Sequence, residues 1–108
     1  MMHQPPSLFA KSTRCHYCDS QTLAPHKNTQ GHLLLRTKDH VIPRSKLGKG
    51  VPGVTVTACR RCNSAKSDHD YEEFRLFALA CLKGRKPRPD VATTVLMFEA
   101  WLAGRVLA

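Results

Sequence analysis

Short runs of apolar residues predict two β-strands in the middle of the chain. Residues 32–37 (HLLLRT) and 54–57 (VTVT) are rich in aliphatic or β-branched side chains, which favour extended structure. Pro43 has no amide hydrogen to donate, so extended structure is expected to end soon after His40. Between the two runs, residues 48–53 (GKGVPG) are basic and rich in glycine, which predicts a flexible loop.

The spacing of apolar residues changes to a helical period after Asp70. A short helix is expected to begin at Asn63, and two longer helices follow it. Asp70 and Asp90 can each cap one of the longer helices, and Gly84 is expected to stop the first of them. The apolar stripes of these helices consist of Phe74, Leu76, Phe77, Leu79, Ala80 and Leu82, and of Val95, Leu96, Phe98, Trp101, Leu102 and Val106.

Together these elements predict an α+β fold, in which a small ββα core is followed by two C-terminal helices. We interpret residues 1–14 as a loosely ordered arm, 15–69 as the core and 70–108 as a helical extension packed on it. The apolar stripes are most simply explained as core, because the segment around the cysteines offers few large apolar residues. The alternative is a surface for a homodimer mate or a partner protein, with Trp101 as its anchor.

The charge of the chain favours a polyanionic partner. Seventeen Lys and Arg residues stand against eight Asp and Glu residues, which gives a net charge of +9. Nucleic acid is the more natural partner than a membrane surface, although a basic protein with no such partner would have the same composition. No segment approaches the ~20 apolar residues that span a bilayer, and the N-terminus lacks the apolar run of a signal peptide. We therefore expect a cytoplasmic protein with reduced thiols.

Four of the five cysteines stand in two C-x-x-C pairs that are separated by forty residues; they are Cys15, Cys18, Cys59 and Cys62. Zn²⁺ prefers four tetrahedral ligands, and each pair lets one tight turn present two thiolates. The pairs therefore predict a structural Zn²⁺ site, and the alternatives are a redox C-x-x-C or unliganded buried cysteines. His16, inside the first pair, is expected to be an exposed ring, and Cys81 a small buried apolar residue.

Between and just after the cysteine pairs lie three residues whose chemistry suits phosphodiester hydrolysis. A neutral imidazole such as that of His40 can activate water as a general base. A carboxylate and an amide oxygen, as Asp39 and Asn63 offer, are ligands for Mg²⁺ or Mn²⁺. Asp-His alone is an unspecific dipeptide, and a structural pair is the ordinary alternative. The cysteine pairs flank all three residues, so a shared metal would allow them to converge.

In these motifs the chain resembles the HNH nucleases, specifically those with a ββα-metal core and two zinc knuckles. The resemblance covers residues 15–68 and rests on C-x-x-C, then DHVIPRS with a basic loop, then ACRRCN-x-x-K-x-D. It implies that Asp39 and Asn63 bind the catalytic ion and that His40 deprotonates water. It also implies cleavage of DNA, double-stranded most naturally, to 3′-hydroxyl and 5′-phosphate ends. The expected nucleic-acid contacts are those of Arg44, Lys46, Arg60, Arg61 and Lys66.

The chain departs from the family pattern at Val54. The family has an asparagine at this position, which braces the loop carrying the catalytic histidine, and valine cannot form that hydrogen bond. Thr55 or Thr57 could compensate. Two functions are therefore compatible with the sequence, a metal-dependent endonuclease and a zinc-dependent DNA-binding module with weak or no catalysis.

Overall fold

The sheet consists of two antiparallel strands, β1 (Arg36–His40) and β2 (Thr55–Cys59). Arg36 pairs with Cys59 and His40 with Thr55, so the strands are fully aligned. Both begin later than the hydrophobic runs predict. The amides of Arg60 and Arg61 donate to the carbonyls of Leu35 and Leu33, so part of the apolar run lies against the next helix instead of entering the sheet.

A computed structural model describes residues 13–42 and 53–107, and side-chain surroundings as far as residue 104. The predictions for most of the N-terminal arm, for Arg44 and Lys46, and for most of the glycine-rich loop lie outside these residues.

Helix α1 (Arg60–Lys66) follows β2 without a connecting residue, three residues earlier than the sequence predicts. Its N-cap is Cys59, whose sulfur accepts a hydrogen bond from the Cys62 amide at 3.4 Å. A thiol is an unusual cap, so the residue at the true start of α1 carries none of the usual capping signals. The consequence is that the second C-x-x-C pair occupies the first turn of α1.

Helices α2 (Tyr71–Cys81) and α3 (Val91–Leu107) form the C-terminal part of the fold. The predicted caps are confirmed, since the Asp70 carboxylate accepts from the Glu73 amide at 3.0 Å and that of Asp90 from the Thr93 amide at 2.7 Å. Gly84 was expected to stop α2, but the helix ends at Cys81.

Aromatic rings join the C-terminal helices to one another and to the first cysteine pair. The Phe98 ring of α3 lies 5.0 Å from the rings of both Phe74 and Phe77, and Phe74 lies 5.2 Å from Tyr17. Helix α3 also packs against α1. The phenylalanines of the two apolar stripes are therefore part of the core, whereas Leu76, Leu79 and Leu96 are exposed. A partner surface on these helices stays a prediction.

The expected α+β architecture, a ββα core followed by two helices, is confirmed. The domain boundaries at residues 14 and 69 stay predictions. Among the helices that the structure describes, none is both long and apolar enough to cross a membrane.

Candidate active site and metal cluster

The two cysteine pairs meet in the interior. The four sulfur atoms, those of Cys15, Cys18, Cys59 and Cys62, all lie within 4.8 Å of one another and all four residues are buried. Cys18 and Cys59, one from each pair, have their sulfurs 3.9 Å apart. Tetrahedral coordination with a metal–sulfur bond of ~2.3 Å separates the ligand sulfurs by about 3.8 Å. The donor set and its spacing therefore fit a tetrahedral metal ion.

Local hydrogen bonds shape the first pair into a tight turn. The Asp19 amide donates to the Cys15 carbonyl at 2.9 Å, and Asp19 adopts a left-handed backbone with φ of 65°. The His16 amide donates to the Thr57 carbonyl at 2.8 Å, which joins the turn to β2. We call residues 15–18 the first knuckle.

The four thiols cannot all ionise together unless a cation is present. Hydrogen bonds to the other three thiols, with Cys15 foremost, lower the pKa of the Cys18 thiol. The hydrogen bonds of Cys62 to its own three neighbours, again with Cys15 foremost, raise the pKa of the Cys62 thiol. Negative charge is thus concentrated on some of the four sulfur atoms, among them that of Cys18. A bound divalent ion would compensate the charge of all four thiolates.

Arg61 lies in the interior beside this cluster. It has 0 % exposure, its Nη1 donates to the Pro89 carbonyl at 3.3 Å, and its Nη2 donates to the Cys62 sulfur at 4.0 Å. Burial opposes the charged form, but the negative charge that the cysteine cluster can carry outweighs burial and raises the pKa of Arg61. A buried guanidinium requires a negative partner, and the thiolate cluster provides one. The prediction that Arg61 contacts phosphates does not agree with this burial.

The Asp39 carboxylate is the centre of a buried polar triad. The Tyr17 hydroxyl, in the first knuckle, donates to its Oδ2 at 2.5 Å, and Lys66 Nζ, in α1, lies 3.3 Å from the same oxygen. Burial and the bond to Asp39 raise the pKa of Tyr17, so its hydroxyl remains a donor. Lys66 is only 1 % exposed. Its predicted phosphate contact therefore does not fit the structure, because the Lys66 side chain is directed inwards to Asp39.

Asn63 lies on the same side of β1 as this triad. Its amide nitrogen donates to Thr37 Oγ1 at 3.0 Å and to the Lys38 carbonyl at 3.4 Å. Asn63 and Lys66 are three residues apart on α1 and so share a helix face. Asn63 and Lys66 therefore both contact β1 from α1, Lys66 at Asp39 and Asn63 at the two residues before it.

His40 ends β1 and is half-buried. Side chains alternate along a strand, which directs His40 to the face opposite Asp39. Asp39 therefore lies on the α1 side of β1 and the imidazole is directed to the other side, and the predicted convergence of all three residues stays a prediction.

The region that contains this arrangement matches a protein family. A family model for HNH endonucleases matches residues 15–76. The chain belongs to the HNH endonuclease family. No curated protein and no solved structure matches the chain significantly. The match includes both cysteine pairs and all three candidate active-site residues, and it ends within α2.

In this HNH chain the main chain supports the strand end that carries His40. Val54 precedes β2 and its side chain is 61 % exposed, so it offers no side-chain brace. Its carbonyl, however, accepts from the amide of Val41 at 2.9 Å, and Thr55 pairs with His40 in the sheet. A main-chain hydrogen bond therefore fixes the residue directly after His40.

Two aromatic contacts of the HNH core were not anticipated from the sequence. His16 was expected to be exposed, but it is half-buried, and its Nε2 lies 2.5 Å from the Tyr71 hydroxyl. Burial lowers the pKa of His16. Tyr17 was not singled out at all; the available signal was a hydroxyl-bearing aromatic residue held between two closely spaced metal ligands. Cys81 is half-buried and packs against the core, which partly matches its expected role.

Replacing Lys66 with methionine is expected to destabilise this HNH chain by about 3–5 kcal/mol, because the substitution leaves a buried carboxylate without its cation. Urea unfolding at fixed zinc concentration measures the effect. Lys38→Met, at an exposed position of β1, is the matched control and should change stability by at most ~0.5 kcal/mol. Stability of Lys66→Met equal to that of the wild type would show that the ion pair does not support the fold.

Proposed function

We propose that this chain is a metal-dependent endonuclease that hydrolyses the phosphodiester bonds of double-stranded DNA. The observation that carries the proposal is the end of β1, where α1 contacts Asp39 through Lys66 and the two preceding residues through Asn63. His40 is the next residue of the strand. The family match over this region supports a nuclease function, and the net charge of +9 supports a polyanionic substrate.

In this proposal His40 acts as the general base. Its half-buried position at the end of β1 leaves part of the ring open to solvent, from which it can take a proton from water. In-line attack at phosphorus places the attacking and leaving oxygens on opposite sides. The proposal therefore requires His40 and the ligand pair to approach the phosphorus from opposite sides.

Asp39 and Asn63 are the proposed ligands of the catalytic ion, Mg²⁺ or Mn²⁺. Their carboxylate and amide oxygens are the hard donors that these ions prefer, and a bound ion would neutralise charge at the phosphate and the leaving oxygen. Both contacts from Tyr17 and Lys66 fall on Asp39 Oδ2, which fixes the orientation of the carboxylate. Lys66 also offsets part of its charge, so the ion site depends on substrate phosphate for additional negative charge.

The proposed ion of the four-cysteine cluster is Zn²⁺. Four buried sulfur donors at tetrahedral spacing support zinc over harder ions, which prefer oxygen. Burial of Arg61 against Cys62 supports a cluster that carries net negative charge, as a zinc tetrathiolate does. In this role the metal joins the first knuckle to the start of α1 and thereby holds Asp39 between Tyr17 and Lys66.

The nucleic-acid contacts that remain in the proposal are those of Arg44, Lys46 and Arg60. Arg60 is half-buried, and its Nη1 donates to the Gly31 carbonyl at 3.4 Å, which leaves the guanidinium near the surface. A second candidate function is a zinc-dependent DNA-binding module without catalysis, which the exposed Val54 favours because the family's asparagine brace is absent.

Conversion of supercoiled plasmid to nicked circles tests the proposal. Zinc-loaded protein is expected to nick the plasmid in Mg²⁺ or Mn²⁺ and not in buffer without added divalent ion, and DNA ligase should reseal the nicks because their ends are 5′-phosphate and 3′-hydroxyl. Salt-sensitive DNA binding without nicking in any divalent ion would instead support the binding module.

A further inference from the structure

A basic cleft of about 350 Å³ lies between the first knuckle and the linker that joins α2 to α3. Its cationic lining residues are Arg14, Lys83, Lys86 and Arg88. Asp19 is the acidic residue among those that line it. The cations come from two segments far apart in the sequence, so the fold brings their charges together.

Among the described residues, a hydrogen bond joins the two walls of the cleft and an ion pair lies within one of them. Arg88 Nε donates to Ser20 Oγ at 3.2 Å, which attaches the linker to the second residue after the first knuckle. Arg14 Nε forms an ion pair with Asp19 Oδ1 at 3.2 Å. The carboxylate in the cleft is thus paired with Arg14, and the lysines of the linker add positive charge that no other acidic lining residue offsets.

The cleft belongs to this chain rather than to the family pattern. The linker residues that line it, which are Lys83, Gly84, Lys86 and Arg88, lie beyond the match at residues 15–76. The cleft is also close to the candidate active site along the chain, because Cys18 lines it and the preceding residue, Tyr17, donates to Asp39. The first knuckle therefore stands between the cleft and the candidate catalytic carboxylate.

We propose that this cleft binds the phosphodiester backbone of DNA and anchors the duplex beside the active site. Clustered lysine and arginine side chains bind backbone phosphates without regard to sequence, and each phosphate contact adds to the salt dependence of binding. The choice of DNA as the occupant rests on the proposed endonuclease function. The cleft would bind the DNA backbone whether or not the protein cleaves the DNA.

Fluorescence anisotropy with a short labelled duplex tests the cleft, on zinc-loaded protein without added catalytic ion and over a range of NaCl concentrations. Lys83→Gln/Lys86→Gln removes two cleft cations, whereas Lys27→Gln/Arg85→Gln removes two exposed cations that do not line it. The cleft variant should reduce the slope of log affinity against log salt concentration by roughly 1–2, since each lost phosphate contact removes ~0.9. The control pair should leave the slope close to that of the wild type.

Equal slopes for wild type and cleft variant, or equal losses in the two double variants, would overturn the proposal. Plasmid nicking by the same wild-type sample separates this outcome from failure of the proposed function. Nicking with an unchanged slope would support the endonuclease and contradict the cleft contact. A reduced slope without nicking would support the cleft contact and contradict the endonuclease. Calorimetric binding of inorganic phosphate to the wild type that disappears in the cleft variant, with unchanged duplex slopes, would assign the cleft to free phosphate and overturn backbone binding.

Discussion

Replacement of Cys59 by serine is expected to abolish zinc binding and leave the chain largely unfolded. Cys59 is fully buried, its sulfur lies 3.9 Å from that of Cys18, and it also caps α1. Serine is a good N-cap, so the substitution preserves capping while it removes one of the four metal ligands. Metal binding supplies an apparent ~10–16 kcal/mol in zinc-dependent domains, more than the whole stability of most small proteins. Circular dichroism and the zinc content of the purified protein measure the result.

The fifth cysteine provides the matched control for this substitution. Cys81 lies in α2 outside the four-cysteine cluster, and it is half-buried. Cys81→Ser should retain one zinc ion per chain and a folded spectrum, with at most a modest loss of stability. If Cys59→Ser keeps the metal and melts at the wild-type temperature, the cluster is not what holds the fold together.

Elements set by local sequence could be predicted closely. The cysteine pairs were assigned to one metal site because each pair has ligand spacing, and the four sulfurs do meet. The caps at Asp70 and Asp90 were predictable because a capping carboxylate needs only the next three residues. The first strand was misplaced because residues 33 and 35 give their carbonyls to α1, a tertiary contact that the hydrophobic pattern does not encode.

The surroundings of the candidate active site could not be predicted from the sequence, and the roles of its members stay predictions. Asp39 and Asn63 do share the interface of β1 and α1. The inward direction of Lys66 and Arg61 was missed because basic residues in a basic chain are ordinarily solvated, and only the positions of Asp39 and the thiolates in the fold give these two cations interior partners. Tyr17 was missed because its partner, Asp39, is twenty-two residues away and contacts it only in the folded chain.

Replacing His40 with alanine is expected to reduce the rate of DNA nicking by roughly 10²–10⁴, the usual contribution of a general base. The fold should be retained, because His40 is half-buried at the last position of β1 and the main-chain bond between Val41 and Val54 does not involve its ring. Duplex affinity should also be unchanged, since the proposed role of the imidazole is proton transfer from water. His26→Ala, at an exposed turn position, is the matched control and should nick at the wild-type rate.

The central claim is that Asp39 and His40 form the reactive end of a nuclease site, and one assay tests it most directly. The rate of plasmid nicking is measured for zinc-loaded wild type, His40→Ala and His26→Ala in Mg²⁺ and in Mn²⁺, with circular dichroism on the same samples. We predict nicking by the wild type and His26→Ala, and a rate for folded His40→Ala that is lower by a factor of at least roughly 100. Nicking by His40→Ala at the wild-type rate, or no nicking by the wild type in either ion, would contradict the account.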